Sequence, residues 1–411
     1  MNKIIKNQIT KLKPSATLAI NEQSRELEKS GKKIYKFGFG QSPFPIPSSV
    51  VSALKSNADK HAYLPMQGLE ELRIAISAHL NKNNKNNFTK DEIIIGPGTK
   101  ELMFLTQIAF EGDILLPAPS WVSYLPQALI AKNKVHWIQT TRNSNWFLTA
   151  TQLENKIKSL KNKNIILFIN SPNNPSGTVC KNLNEIAEVA KKYKIIILSD
   201  EIYSQLTFAN NYKSISNFYP EGTIVSTGLS KWCGAGGWRI GFFAIPNQLK
   251  ELKDSIKILC SESFTSVSAP IQYAAIEAYK GDHSVYLNNV KKILSYVGYY
   301  AYENLKSNNT NVIKPEGGFY IFPEFTNTKF LTSSEMCKDI LSKTGVALLP
   351  GSDFGIDKKI MLARLSFTDF DGVSFLNNTL SSKSLDDADL KKYAPNIVDG
   401  ITRLKEWSNS L

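Results

Sequence analysis

Arginine is scarce in this chain. Of 49 basic residues only six are arginine (Arg25, Arg73, Arg142, Arg239, Arg364 and Arg403), and the rest are lysine. Cysteine and histidine are as thin, with four of each. Cys180, Cys233, Cys260 and Cys337 lie far apart, and His61, His79, His136 and His283 are equally scattered. That spacing argues against a disulfide framework and against a bound metal. No apolar run approaches the roughly 20 residues that a membrane span needs. The basic start, MNKIIKNQITKLKP, is not followed by an apolar core with a small-residue cleavage site. A cytoplasmic location without membrane association is therefore expected. Internal repeats are absent, and the one low-complexity stretch, the Asn/Lys-rich 81–87, reads as a solvated turn.

What the chain has in surplus is positive charge, formally +13, spread over lysines in stretches such as NKNNKNNFTK and KSLKNKN. No recognition module accompanies them, so they read as a solvated surface and not as a nucleic-acid site. The sparing use of arginine is more informative. Two arginines stand in glycine-rich or apolar text, Arg239 in GGWRIG and Arg364 in MLARLSF. The planar guanidinium grips an anion through two parallel hydrogen bonds, which a lysine cannot copy. These two positions are candidate anion sites.

At 411 residues the chain is too long for one comfortable core, and two domains are expected. Its middle alternates short apolar runs with helical patterns. Strands are predicted at 92–95, 113–116, 135–138, 165–169, 195–199, 223–226 and 240–245, with helices at 100–110, 121–131, 151–160 and 182–193. This alternation predicts an α/β fold with a mainly parallel sheet. Long helices follow over 249–308, then a second α/β stretch with a helix at 333–343 and a last helical segment at 391–409. The expected division is a large domain at 56–320 and a smaller one at 321–411 that residues 1–55 join. Several strands end in polar text: LLPAPSW, LFINSPNNPSG, ILSDEIY and STGLSK. Ligands of open α/β sheets sit outside the carboxyl ends of strands, so these ends are expected to share one crevice.

The residues at those ends carry complementary chemistry. Asp200 follows a strongly apolar run, and either caps a helix or faces a cationic or protonated partner. Tyr203, three residues on, can reach the same place. Asn174 sits in a turn fixed by Pro and Gly. Gly98, Thr99 and Lys100 follow a strand and open a helix, the arrangement in which free N–H groups receive a phosphate. Lys231, among small and apolar neighbours with Arg239 nearby, has the setting of an amine with a depressed pKa and nucleophilic character.

The ordered set FGFGQSPFPIP, YLPMQGLEELR, GPGTKEL, PAPSW, NSPNNPSG, SDEIY, LSKWCGAGGWRIG, PEGGFYIF, VALLPGSDFG and ARLSF resembles the class I/II aminotransferases, the aspartate-aminotransferase-like branch of fold type I pyridoxal-phosphate enzymes. The resemblance spans about residues 35 to 370. It implies a large domain with a mainly parallel sheet flanked by helices, plus a smaller α/β domain built from both termini. It implies pyridoxal 5′-phosphate as cofactor and amino acids and 2-oxo acids as substrates, in a two-stage exchange. Lys231 then resembles the Schiff-base lysine and proton shuttle, and Asp200 the partner of the pyridine nitrogen. Asn174 and Tyr203 match the pair on the ring's 3-oxygen, and Trp121 matches the aromatic on the ring face. Gly98, Thr99, Lys100, Ser230 and Arg239 match the phosphate cup. Tyr63 resembles the tyrosine that reaches the phosphate from the other subunit of a homodimer. Arg364 resembles the clamp for the substrate α-carboxylate, helped by Gly40, with Trp121 and Asn174 beside it.

One position departs from the family pattern. Gly228 stands where a hydroxyl residue often supplies a phosphate contact, and Ser230 or Thr227 is expected to replace it in part. The pocket lining is expected from Phe39, Gln41, Ser42, Phe44, Trp121 and the GGFY segment. Residues 249–308 contain no arginine, so no distal arginine fork is expected from them. A carbon–sulfur β-lyase on the same scaffold is the alternative reading. A cofactor-sensing regulatory protein would need a fused DNA-binding segment, which the text does not show.

Overall fold

The seven apolar runs become the seven strands of one sheet: β1 (Ile93–Gly96), β2 (Asp113–Ala118), β3 (Lys134–Gln139), β4 (Ile165–Asn170), β5 (Ile196–Asp200), β6 (Thr223–Gly228) and β7 (Gly241–Ala244). In this computed structural model, residues 4–10, 12, 16–83, 86–381 and 384–411 are described. The strand order is β1-β7-β6-β5-β4-β2-β3. Only β7 runs against its neighbours, and the other pairs are parallel.

The strands read as continuous apolar runs because both faces of the sheet are covered. Leu115, Leu167 and Ile197 pack to one side with Leu153, Ile157 and Ile186 of the helices Ala150–Ser159 and Leu183–Lys192. Ile114, Ile166, Leu198 and Ile224 pack to the other side with Leu102, Leu105 and Ile256 of Thr99–Ala109 and Lys250–Ser263. Near the β1 edge, Ile93, Ile95 and Phe242 meet Val50, Leu72, Ile76 and Ala275. Burying one such aliphatic side chain contributes about 1.5–3 kcal/mol. This cover holds the strand ends in register.

A second, three-stranded antiparallel sheet joins Leu349–Pro350, Ala363–Ser366 and Tyr320–Ile321. The amino-terminal segment runs beside it: Tyr35 N–H donates to Gly345 O at 2.9 Å and Ser366 N–H to Phe37 O at 2.7 Å. The long helix Ser284–Leu305 packs on Gly372–Ser381 and Pro395–Asn409.

The helices Ala16–Lys29, Ser48–Ser56, Glu70–Asn83 and Gly372–Ser381 were not expected from the sequence. In Glu70–Asn83 the apolar stripe Leu72, Ile76, Leu80 shares the buried side with Arg73 and Ser77, which blunts the contrast that marks an amphipathic helix. The segment expected as one helix over 391–409 is two, Asp387–Tyr393 and Pro395–Asn409. Proline tolerates the first turn of a helix but not its interior, so Pro395 forces the break. The stretch 81–87 lies partly outside the described residues. No helix among the described residues is long and apolar enough to cross a membrane.

Candidate functional site

The strand register sets the floor of the site. Asn170 and Asp200 stand abreast at the ends of β4 and β5, with Ser226, two residues short of the end of β6, beside them. The Asn170 side chain ties two of these ends together: its Nδ2 donates to Asp200 O at 2.8 Å, and its Oδ1 accepts from Asn174 N–H at 2.7 Å. The turn beyond closes on itself, with Asn173 N–H donating to Thr178 O and Gly177 N–H to Asn173 O. Asn174 is thereby fixed one step outside the sheet, above Asp200.

Asp200 is buried, and burial pushes its carboxyl up to about 6 against the lowering effect of its hydrogen bonds. The Tyr124 hydroxyl donates to Oδ2 at 2.6 Å, and Ile202 N–H reaches Oδ1 at 3.4 Å. Burial also lowers the Lys231 amine to about 8, helped by the nearby Arg364 guanidinium. Lys231 Nζ donates to Gly40 O at 2.7 Å. Its ammonium lies 5.5 Å from the ring centroid of Phe319 and 5.8 Å from that of Tyr203. The Tyr203 hydroxyl is 3.0 Å from that of Tyr320.

Arg364, on the strand Ala363–Ser366, is almost wholly buried. Nη1 donates to Asn174 Oδ1 at 3.0 Å and Nη2 to Gly38 O at 2.6 Å. The guanidinium carbon sits 4.7 Å from the Tyr320 ring centroid and 5.3 Å from that of Phe354. Its Nε is buried without a hydrogen-bond partner. An orphaned guanidinium N–H costs free energy unless a ligand acceptor meets it.

The opposite end is built for an anion. Gly98 has φ +89° and ψ 155°, a conformation open essentially to glycine alone, and it caps the helix Thr99–Ala109. The unpaired N–H groups and dipole of a helix start favour negative charge. Arg239 leans over this start: Nη1 donates to Gly236 O at 3.0 Å, Nη2 to Pro97 O at 3.4 Å, and a Cβ on Gly98 would collide with the guanidinium.

Gly228 has a steric reason. It pairs with Gly241 across β6 and β7, and a Cβ there would stand 2.8 Å from both Gly241 Cα and Ile240 O. Gly241 in turn has Thr99 N at 2.8 Å from its own Cβ position. The glycine pair lets the helix start approach the sheet, at the loss of a hydroxyl. Of the two expected replacements, Ser230 lines the cavity. Thr227 does not: its hydroxyl donates to Glu201 O at 3.3 Å, toward a separate cavity behind the strand ends.

A cavity of about 490 Å³ brings together Gly40, Thr99, Lys100, Trp121, Asn174, Asp200, Tyr203, Ser230, Lys231, Arg239 and Arg364. Gly98 lies beneath Arg239, outside the cavity wall, and Tyr63 is 90% exposed, away from the cavity of its own chain. Phe39 and Gln41 line the cavity as expected, whereas Ser42 and Phe44 are buried elsewhere, Phe44 edge-on against Phe370. Sequence reasoning missed Tyr124, Asn170 and, as an individual residue, Tyr320. Tyr124 follows Trp121 at helical spacing, and Asn170 is the polar end of the run IILFIN.

The donor set fits pyridoxal phosphate on three counts. A buried carboxylate has no ion pair among the described residues, a half-buried amine is lowered toward neutrality, and a helix start under an arginine is shaped for a phosphate. The Arg364 guanidinium in the cavity wall adds a place for a carboxylate.

Comparison with known proteins agrees. Residues 32–369 match the family described as aminotransferase class I and II. The chain is 33% identical over 379 residues to the aspartate aminotransferase of Bacillus sp. (strain YM-2), covering 88% of this chain and 95% of that protein. It is 33% identical to a probable aspartate/prephenate aminotransferase of Aquifex aeolicus, over 86% of this chain and 92% of that one. Among solved structures, alanine aminotransferase from Pyrococcus furiosus superposes with a TM-score of 0.86 at 25% identity, covering 99% of this chain and 100% of the other.

Proposed function

The chain belongs to the class I and II aminotransferases, and from that premise we propose that it uses pyridoxal 5′-phosphate to move the amino group between an acidic L-amino acid and a 2-oxo acid. The observation that carries this reading is a half-buried Lys231 amine, lowered to about 8, in one cavity with Asp200 and Arg364. The chemistry the cofactor supplies when bound is an electron-accepting ring that spreads the charge left at a deprotonated α-carbon.

The chain supplies the rest. Lys231 Nζ is the attachment amine and removes the proton from the substrate α-carbon, a task suited to a group that titrates near neutrality. Asp200 holds a proton on the ring nitrogen, and the Tyr124 hydrogen bond keeps its carboxylate oriented. Asn174 Oδ1 is taken up by Arg364, which leaves its Nδ2, with the Tyr203 hydroxyl, to donate to the 3-oxygen. Trp121 covers the ring face. Thr99 N–H, Ser230 and Arg239 bind the phosphate, and Tyr63, exposed on its own chain, reaches the cup of a second subunit in a homodimer. Arg364, in the cavity wall, binds the α-carboxylate. Lys100, with Nζ 5.7 Å from the Trp121 centroid and near the Arg239 charge, adds a cation at the phosphate end of the cavity. The names of the aspartate aminotransferases among its relatives support an acidic substrate. Those names give no support to the lyase alternative.

The test is a half-reaction screen of the twenty amino acids against the cofactor's visible band. Aspartate or glutamate is expected to discharge that band fastest. Lys231→Ala is expected to lose both the band and turnover with a 2-oxo acid, and a variant that kept both would overturn the reading.

A further inference from the structure

Tyr320 is buried, lines the cavity and touches three of its functional groups. Its hydroxyl is 3.0 Å from that of Tyr203. Its ring faces the Arg364 guanidinium carbon at 4.7 Å. Its hydroxyl oxygen fills the space where a Cβ on Gly40 would stand, and Gly40 O is the acceptor for Lys231. The backbone gives it little freedom. Tyr320 pairs with Ser366 across the small sheet. Gly177, at φ +69°, leaves room for its carbonyl where a side chain would collide. The same turn is tied on by Glu316 N–H and Gly317 N–H, which both donate to Gly177 O. The two phenol rings meet edge to face, with centroids 5.7 Å apart at 80°.

Two phenols 3.0 Å apart hold one proton between them, and the other proton must go elsewhere. Among the described residues, Tyr203 is the one hydrogen-bond partner of the Tyr320 hydroxyl. If Tyr203 donates, its proton is spent on Tyr320 and none is left for the cavity. If Tyr320 donates, the Tyr203 proton turns outward. Burial raises both phenols above their usual titration range, Tyr203 well above it, so both keep their protons at working pH. An electron-rich acceptor in the cavity therefore selects the second arrangement. A hydroxyl that accepts a hydrogen bond also becomes a stronger donor.

We infer that Tyr320 is a positioning residue: its hydroxyl donates to Tyr203 Oη, and so aims and strengthens Tyr203 as the donor to the cofactor's 3-oxygen. This rests on the cofactor reading above. A donor held on that oxygen competes for it with the proton shared with the Lys231 nitrogen. Weakening the donor therefore raises the pH at which the bound cofactor's visible absorbance titrates. The second role of Tyr320, its ring against Arg364, survives in Tyr320→Phe, which removes the hydroxyl alone.

The experiment is a spectrophotometric pH titration of the holoenzyme for wild type, Tyr320→Phe, Tyr203→Phe and the double variant. Tyr320→Phe is expected to raise the midpoint by about half a pH unit, and Tyr203→Phe by more. Because Tyr320 acts through Tyr203, the double variant should titrate with Tyr203→Phe and not beyond it. A wild-type midpoint for Tyr320→Phe, or additive shifts in the double variant, would overturn the inference while leaving the cofactor reading intact. A wild-type protein without a titrating visible band would overturn both.

Discussion

A carboxylate buried without an ion pair carries a standing cost, and Asp200 shows it. Its ordinary value near 3.8 is pushed up to about 6 by burial. Between those two values the folded chain binds the proton and the unfolded chain does not. Stability of the cofactor-free protein must therefore fall as pH rises from about 4 to about 6. Two units correspond to about 3 kcal/mol at the full shift. Glu201 next door, raised to about 7 by burial, tilts the curve the same way. Asp200→Asn should flatten the slope between pH 4 and 6 and stabilise the cofactor-free protein at pH 7. It should also destroy turnover, since an amide cannot keep a ring nitrogen protonated. Denaturant melts at stepped pH would decide this, and an unchanged slope in the variant would sink the account. Asp200 was legible in sequence because it ends the apolar run IIILS. Its supports were not. Tyr124 and Asn170 gain their meaning from pairings 76 and 30 residues away, which no local pattern records.

At the scale of elements, the glycines of β6 and β7 show how a strand pair can dictate a functional absence. Gly228 stands where relatives of this fold often place a hydroxyl, and the sequence alone left the reason open. Here Gly241 and Ile240 backbone atoms occupy the space a side chain would need. A serine can be admitted only if the strands part, and parting them would move the start of Thr99–Ala109, whose Thr99 rests on Gly241. Gly228→Ser is thus expected to destabilise by about 1–3 kcal/mol, as overpacking does, and to weaken cofactor binding despite the added hydroxyl. Thermal melts with and without pyridoxal phosphate measure both, and a tighter-binding variant of unchanged melting temperature would refute the steric account. The same contrast explains which elements could be read in advance. Strands buried on both faces announce themselves as apolar runs, and the partly exposed edge strand β3 was placed by its apolar run VHWI. Helices whose buried side includes polar groups, such as Arg73 donating to Gly68 O and Lys90 O, hide their periodicity.

At the scale of the whole molecule, the proposed site draws on a second copy of the chain. Arg239 is exposed at the rim of the cup, and Tyr63, 90% exposed, lies outside the cavity of its own chain. A large aromatic ring facing solvent is free to serve another copy. In a two-fold dimer each subunit would lend its Tyr63 to the other's phosphate cup. The fold could be read from one sequence because its core lies within the chain. A residue that acts across an interface leaves no such trace, and the role of Tyr63 is proposed from resemblance alone. The arrangement predicts complementation. Lys231→Ala homodimers should be inactive, and Tyr63→Phe homodimers should bind the cofactor weakly and turn over little when it is limiting. Coexpressed, the two variants form mixed dimers in which one site has both defects and the other has neither. With random pairing, half the dimers are mixed, so about a quarter of the wild-type sites should be restored. Activity at limiting cofactor should then exceed the average of the two parents, with sites titrated by bound pyridoxal phosphate. If the mixture shows only that average while mixed dimers are present, Tyr63 serves its own chain or none, and the cup is complete within one subunit.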